Sequence, residues 1–178
     1  MHRNNLLELL NNYYPTNIDE QESKEKIIAF VQQYTNCFER TLDIGHITAS
    51  SWLVSQDNTK ALLTHHKKLN MWIQLGGHCD GESDTLAVAL KEAQEESGIE
   101  QIKPMQLSIF DLGVHLIPEY KKEKAHYHYD IRFLLQAADE KIIISDESHD
   151  LLWIEKNIQV LPSLQPSVMR MFNKWILI

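Results

Sequence analysis

A chain of 178 residues, 43% hydrophobic and 24% charged, has the size and make-up of one soluble domain with a sizeable core; it is hardly long enough for two, and no apolar run approaches the roughly eighteen residues of a membrane span. Acidic residues number 25 against 17 basic ones, a net charge of −8, which speaks against a nucleic-acid backbone as partner because that affinity comes from Lys and Arg neutralising phosphates. Cys37 and Cys79 have no paired spacing, which excludes a disulfide framework or zinc knuckle, and the opening MHRNNLLELLNNYYP has too short an apolar run for a secretory signal, so a reducing cytoplasm is the expected location.

In chain order, residues 4 to 38 carry helical spacing: NLLELL, then, beyond Pro15, DEQESKEKIIAFVQQYTNCF with Ile27, Ile28, Phe30, Val31 and Tyr34. Two helices are expected, the second capped at Asp19 or a neighbour, forming a packing or dimerisation element without chemistry. From His46 the pattern turns to strands. HITASSWLVS and KALLTHH flank the turn QDNT, so residues 46 to 66 predict a hairpin, and KKLNMWIQLGG carries a third extended segment into a glycine-rich loop. A helix follows and closes on Gly98. Beyond it Pro104 ends local helicity, MQLSIFDLGVHLI reads as a strand and PEYKKEKA as a charged, mobile loop. HYHYDIRFLLQA alternates strictly, with Tyr127, Tyr129, Ile131 and Phe133 on one face and His126, His128, Asp130 and Arg132 on the other. KIIIS and LLWIEK are further strand candidates, and residues 167 to 178 read as a closing amphipathic helix. Strands on both sides of a central helix, with helices at both ends, predict an α/β or α+β fold in which helices pack on a mixed β-sheet. The whole of 1–178 reads as a single domain, 1–42 a helical extension and 43–178 the catalytic core.

The central stretch, LGGHCDGESDTLAVALKEAQEESGIE from Leu75 to Glu100, sets Glu92, Glu95 and Glu96 on a helix at spacings of three and four. At about 100° per residue such positions share a face, where like charges cost a few tenths of a kcal/mol per pair, with no interleaved Lys or Arg on that face to offset them. A divalent cation is the economical neutraliser, and oxygen-only ligands suit Mg²⁺ or Mn²⁺, with substrate phosphates completing the shell. A polyphosphate can then reach an acidic site through the ion's own charge. Leu86, Ala89, Leu90 and Ala93 form the apolar stripe beside the acids, and Gly76, Gly77 and Gly81 permit a tight loop.

Residues 76 to 99, GGHCDGESDTLAVALKEAQEESGI, resemble the signature of the Nudix hydrolases: Gly, five residues, Glu, seven residues, then Arg-Glu-aliphatic-any-Glu-Glu-any-Gly-aliphatic. The wording GGHxDG is similar to that of a Nudix subgroup. The resemblance places Lys91 at the Arg position, Glu92, Glu95 and Glu96 at the catalytic acids, Gly98 and Ile99 at the close, and the carbonyl of Gly76 toward the metal. It departs at the first acid, where Ser83 stands and the nearest glutamate, Glu82, comes one residue early. It implies a Nudix-like sheet sandwiched between helices, Mg²⁺ or Mn²⁺ as cofactor, and pyrophosphohydrolysis of a nucleoside diphosphate linked to a moiety X. A homodimer is one arrangement the family suggests. A non-hydrolytic nucleotide-binding module and an isopentenyl diphosphate isomerase-like enzyme are the alternatives, the latter opposed by the absence of its Cys motif.

Other residues join the candidate site. Glu147, six residues before Trp153, matches a Glu that in many relatives supplies a further metal ligand or the base; one of Glu95, Glu96 or Glu147 would activate water. Lys91 would orient a glutamate, less rigidly than an Arg fork. His115, His126, His128, Asp130 and Arg132 are read as a substrate-contacting face in preference to a dedicated zinc site, and Lys67, with His65, His66 and Lys68, as a cationic contact for phosphate. Arg40 and His78 belong with these, Trp72 is read as core, and Cys79 lacks the partners of a nucleophile.

Overall fold

A computed structural model describes residues 2–119 and 124–178. Its element order is α1 (Asn4–Asn11), α2 (Ile18–Gln33), β1 (Gly45–Val54), β2 (Lys60–His66), β3 (Met71–Ile73), β4 (Leu75–His78), α3 (Thr85–Ser97), β5 (Ile102–Pro104), β6 (Asp111–Ile117), β7 (His126–Ala137), β8 (Ser148–Glu155) and α4 (Pro166–Trp175). The eight strands form one mixed sheet ordered β3-β2-β1-β7-β5, with β4 paired to β1, β6 to β7 and β8 to β2. The hairpin forms as predicted, Leu53 opposite Leu62. The sheet is mixed because β1 and β7 run parallel from Gly45↔Tyr127 to Val54↔Gln136, while their other neighbours are antiparallel.

Side chains on β1 and β7 alternate, and each face is covered by different helices. Ile47, Ala49, Leu53, Ile131, Phe133 and Leu135 join one core with Ile27, Phe30 and Val31 of α2 and Val88, Ala89 and Ala93 of α3. Phe30 stacks on Tyr129 at 3.9 Å between ring centroids. On the opposite face Trp52, Val54 and Leu134 pack against Val168, Met171, Phe172 and Trp175 of α4. The two N-terminal helices therefore share the core of the sheet, with Leu6 and Leu10 of α1 fully buried in it.

Three local expectations are corrected. Asn17, one residue before α2, caps it by accepting from the Glu20 N–H, because its extended backbone aims the side chain at a free amide of the first turn. MQLSIFDLGVHLI is not one strand: β6 begins only at Asp111, and Pro104 closes a separate short strand, β5. KIIIS forms no strand; Lys141 to Ser145 run as an irregular connection, with Ile143 and Ile144 exposed. Part of PEYKKEKA, residues 120–123, lies outside the described residues. No helix among the described residues is long and apolar enough to cross a membrane.

Beneath α4 the sheet carries a buried ionic network. The Arg132 guanidinium, 0% exposed, donates to Asp111 at 2.6 Å and to Asp130 at 2.7 Å. Asp111 also accepts from Arg170 at 2.8 Å and Lys174 at 3.0 Å, and Lys174 pairs with Glu20, which accepts from the Tyr13 hydroxyl. Three cations, Arg132, Arg170 and Lys174, thus face three carboxylates, Asp111, Asp130 and Glu20. The matched charge explains how they are tolerated without water: an unpaired one would cost several kcal/mol.

Candidate active site

Helix α3 is fixed at both ends. Asp84 caps its start by accepting from the Ala87 N–H at 3.1 Å, and Gly98 ends it at φ 73°, the left-handed conformation that favours glycine. Its buried side is Val88, Ala89 and Ala93, small enough to seat the helix closely on β1 and β4. That places Glu92 and Glu96, one turn apart, over the glycines of β4. The Gly76 N–H donates to Glu96 Oε2 at 2.8 Å. A Cβ at Gly77 would lie 2.3 Å from Glu92 Oε2, so glycine is what leaves room for this carboxylate.

The pair is strained electrostatically. Glu96 is only 4% exposed, and burial pushes its carboxyl up to about 8, against the pull of the Gly76 hydrogen bond and with the help of the Glu92 and Glu147 charges. Glu92 is raised as well, first by burial and then by Glu95 and Glu147, with Lys91 opposing. Glu95 does not share their surroundings. Its side chain is 59% exposed and paired with Lys91 at 3.2 Å, and the same ammonium reaches Glu92 at 3.5 Å. The expected three-acid face without a cation is thus corrected: Glu95 stands about 100° from Glu96 around the helix axis, toward solvent, and Lys91 sits one turn before it.

Glu147 lies in the turn before β8, and its charge acts on Glu92, Glu96 and His66. Lys67 fixes that turn. Its N–H donates to the Glu147 carbonyl at 2.9 Å and its ammonium to the Asp146 carbonyl at 2.8 Å, so Lys67 is spent on the loop, where the sequence suggested a phosphate contact. Glu82 is exposed and accepts from the Asp84 N–H at 2.9 Å, shaping the turn into α3. Trp72 is half-buried, packs against the core cluster under α4 and stacks on His65 at 5.0 Å.

The polar face of β7 divides in two. Asp130 and Arg132 are closed inside the ionic network, Asp130 also accepting from Thr48 and Ser50 of β1, and His115 reaches the Arg132 guanidinium from β6. In this fold Asp130 and Arg132 support the sheet, and Arg132 has no surface to offer a ligand. At the other end, His126 and His128 meet His46 and His78. The β1–β7 register sets His46 beside His128, and His78, following Gly77 on β4, points to the face opposite α3. Sequence reasoning passed over His46 as the start of a strand and gave His78 only a generic phosphate role. Their meeting depends on parallel pairing between segments about eighty residues apart, for which the sequence carries no local signal. The Cys79 thiol is buried, its ionisation suppressed by desolvation.

No family model matches the sequence. A probable DHNTP pyrophosphohydrolase of Lactococcus lactis subsp. cremoris is 27% identical over 141 residues, 76% of this chain and 82% of the relative. Among solved structures, a NUDIX-family hydrolase from Clostridium perfringens superposes with a TM-score of 0.54 at 19% identity, covering 74% of this chain and 97% of that one. The dihydroneopterin triphosphate pyrophosphohydrolase of E. coli gives 0.57 at 14% identity over 74% and 94%. The Ap4A hydrolase of C. elegans gives 0.53 at 17% over 72% and 93%. These likenesses establish the fold, and the glutamate helix occupies the segment that carries the signature.

Proposed function

We propose that this chain, a Nudix hydrolase by fold, signature and relatives, hydrolyses a phosphoric anhydride bond of a small phosphorylated substrate with a divalent cation, Mg²⁺ or Mn²⁺, held by Glu92 and Glu96. The observation that carries the reading is the pair of carboxylates against Gly76 and Gly77, Glu96 buried and Glu92 half-buried, both raised in pKa by desolvation. Two acids kept dry and close destabilise their own anions, and a hard cation relieves this with the oxygen donors it prefers. Bound there, the cation supplies charge neutralisation at the phosphate oxygens and a more acidic water.

The chain's own groups do the rest. Glu96 is oriented by the Gly76 N–H, and the Gly76 carbonyl is the proposed further oxygen ligand. Glu147, whose charge acts on the pair from the turn that Lys67 fastens, is the proposed base or outer ligand, with Glu95 the less sheltered alternative. Lys91 bridges Glu92 and Glu95 and offsets their mutual repulsion. Asp130 and Arg132, closed inside the ionic network under α4, hold the sheet that carries the site. The L. lactis relative makes DHNTP the first substrate to try.

The test is hydrolysis by purified protein with Mg²⁺ across DHNTP, nucleotide sugars, dinucleoside polyphosphates, ADP-ribose and nucleoside triphosphates. Turnover of at least one is expected, reduced about 100-fold or more in Glu96→Gln; equal turnover by the two proteins overturns the assignment.

A further inference from the structure

The four histidines on the face opposite α3 lie outside the machinery just described. His46 is 2% exposed, and neither of its ring nitrogens has a hydrogen-bond partner among the described residues. Two desolvated imidazole nitrogens without partners cost on the order of 1–3 kcal/mol each unless something engages them. What faces His46 is more imidazole: His128 at 4.7 Å, His78 at 5.0 Å and His126 at 5.1 Å between ring centroids. One ring nitrogen each from His46, His78 and His128 lie within 4.8 Å of one another. Imidazoles packed this closely around a buried His46 are disfavoured as cations by mutual repulsion and desolvation. Neutral imidazole presents a lone pair.

We propose that His46, His78 and His128 form a second metal site, for a divalent transition metal of the zinc class, with His126 as its fourth ligand. His126 Nε2 lies 3.2 Å from His128 Nε2, and two nitrogens bound at ~2.0–2.1 Å to one tetrahedral ion stand about 3.3 Å apart. The other ring nitrogen of His126, Nδ1, is 2.8 Å from the Lys124 carbonyl. Donating there leaves Nε2 free for an ion, the backing by a carbonyl that metal-bound histidines use. His126, His78 and His128 are half-buried, so an ion enters from that side, with His46 as the floor.

Charges around the cluster are close to balanced. Arg40 and Lys68 oppose a cation, whereas Asp80 and Asp130 favour it, and Arg40 is itself paired through two nitrogens with Asp80. The selectivity follows from donor type. Mg²⁺ seeks oxygen and takes the glutamates, and imidazole suits Zn²⁺, Cu²⁺, Ni²⁺ or Co²⁺.

The experiment uses tag-free full-length protein in excess Mg²⁺, dialysed against Zn²⁺ and assayed for bound zinc, with Co²⁺ absorption as a report of nitrogen-ligated tetrahedral geometry. One zinc per chain is expected. Affinity should fall at least tenfold in His78→Gln and His128→Gln and hold in Glu92→Gln/Glu96→Gln. Because His46→Gln alters a buried side chain, the half-buried His78 is the deciding variant, with circular dichroism confirming its fold. No tight zinc in the parent, or equal zinc in His78→Gln, overturns the proposal. Zinc lost only with the glutamates does so too, by assigning the ion to the carboxylate site. The assay needs no substrate, so its outcome is independent of the hydrolase reading.

Discussion

One short strand separates two sites that solve opposite problems. On the α3 side of β4, Glu92 and Glu96 are carboxylates made uncomfortable as anions by burial and by each other. On the other side, His78 joins rings kept neutral by burial and by each other. The same desolvation raises acids and lowers imidazoles, so one shell offers hard anionic oxygen and the other softer neutral nitrogen. Alternation along Gly77 and His78 directs the two chemistries to opposite faces.

The largest effect is expected beneath both sites. Arg132→Ala leaves Asp111 and Asp130 buried without their shared cation and should destabilise the fold by about 3–5 kcal/mol, measured by denaturant unfolding. Arg132→Met, which keeps the volume, should cost less only if Asp130 is replaced by Asn as well. A loss under 1 kcal/mol for Arg132→Ala would show that the network is not closed.

Stability against pH separates the two shells by sign. In metal-free protein folded Glu96 keeps its proton to about 8, whereas unfolded Glu gives it up near 4.3. Between these values the folded state binds more protons, so stability falls as pH rises toward 8. Folded His46 and His128 resist protonation down to about 4 and about 3; the unfolded chain takes protons first below about 6.5, so stability falls as pH falls. Unfolding with a chelator present should therefore show Glu96→Gln more stable than the parent at pH ~8, by on the order of 1–3 kcal/mol. His46→Gln should flatten the loss on the acid side. The same slope in both variants would break the distinction.

The smallest change is Lys91→Arg. Its ammonium already reaches both Glu92 and Glu95, so a guanidinium should alter hydrolysis only a few-fold, chiefly through tighter orientation of Glu92. A loss of about 100-fold would give this position a direct part in the reaction.

Much of this was readable from residue order because the signals are local. The period of α3, the hairpin residues of β1 and β2, and the alternation of β7 each lie within one segment. The carboxylate pair was readable too, since positions 92 and 96 share a helix face wherever the helix goes. Glu95 was misread because spacing fixes an angle without saying which part of the arc is buried. KIIIS looked like a strand from its β-branched run, but its backbone turns to the end of α3, where the Ile143 N–H donates to the Ser97 carbonyl at 2.8 Å. The histidine site was hidden for a related reason: His46, His78 and His128 come from three strands, and only the register of β1 with β7 and β4 brings them together. Arg132 read as a ligand-facing cation because alternation gives the face of a strand, not what covers it. Here α4 does, through Arg170 and Lys174.

The most direct test of the account is Mg²⁺-dependent hydrolysis by the parent and Glu96→Gln, each folded as judged by circular dichroism, on the substrate the parent turns over fastest. A fall of about 100-fold or more with the fold intact is predicted. Undiminished turnover in Glu96→Gln would contradict the claim that the buried carboxylates of α3 are the catalytic centre.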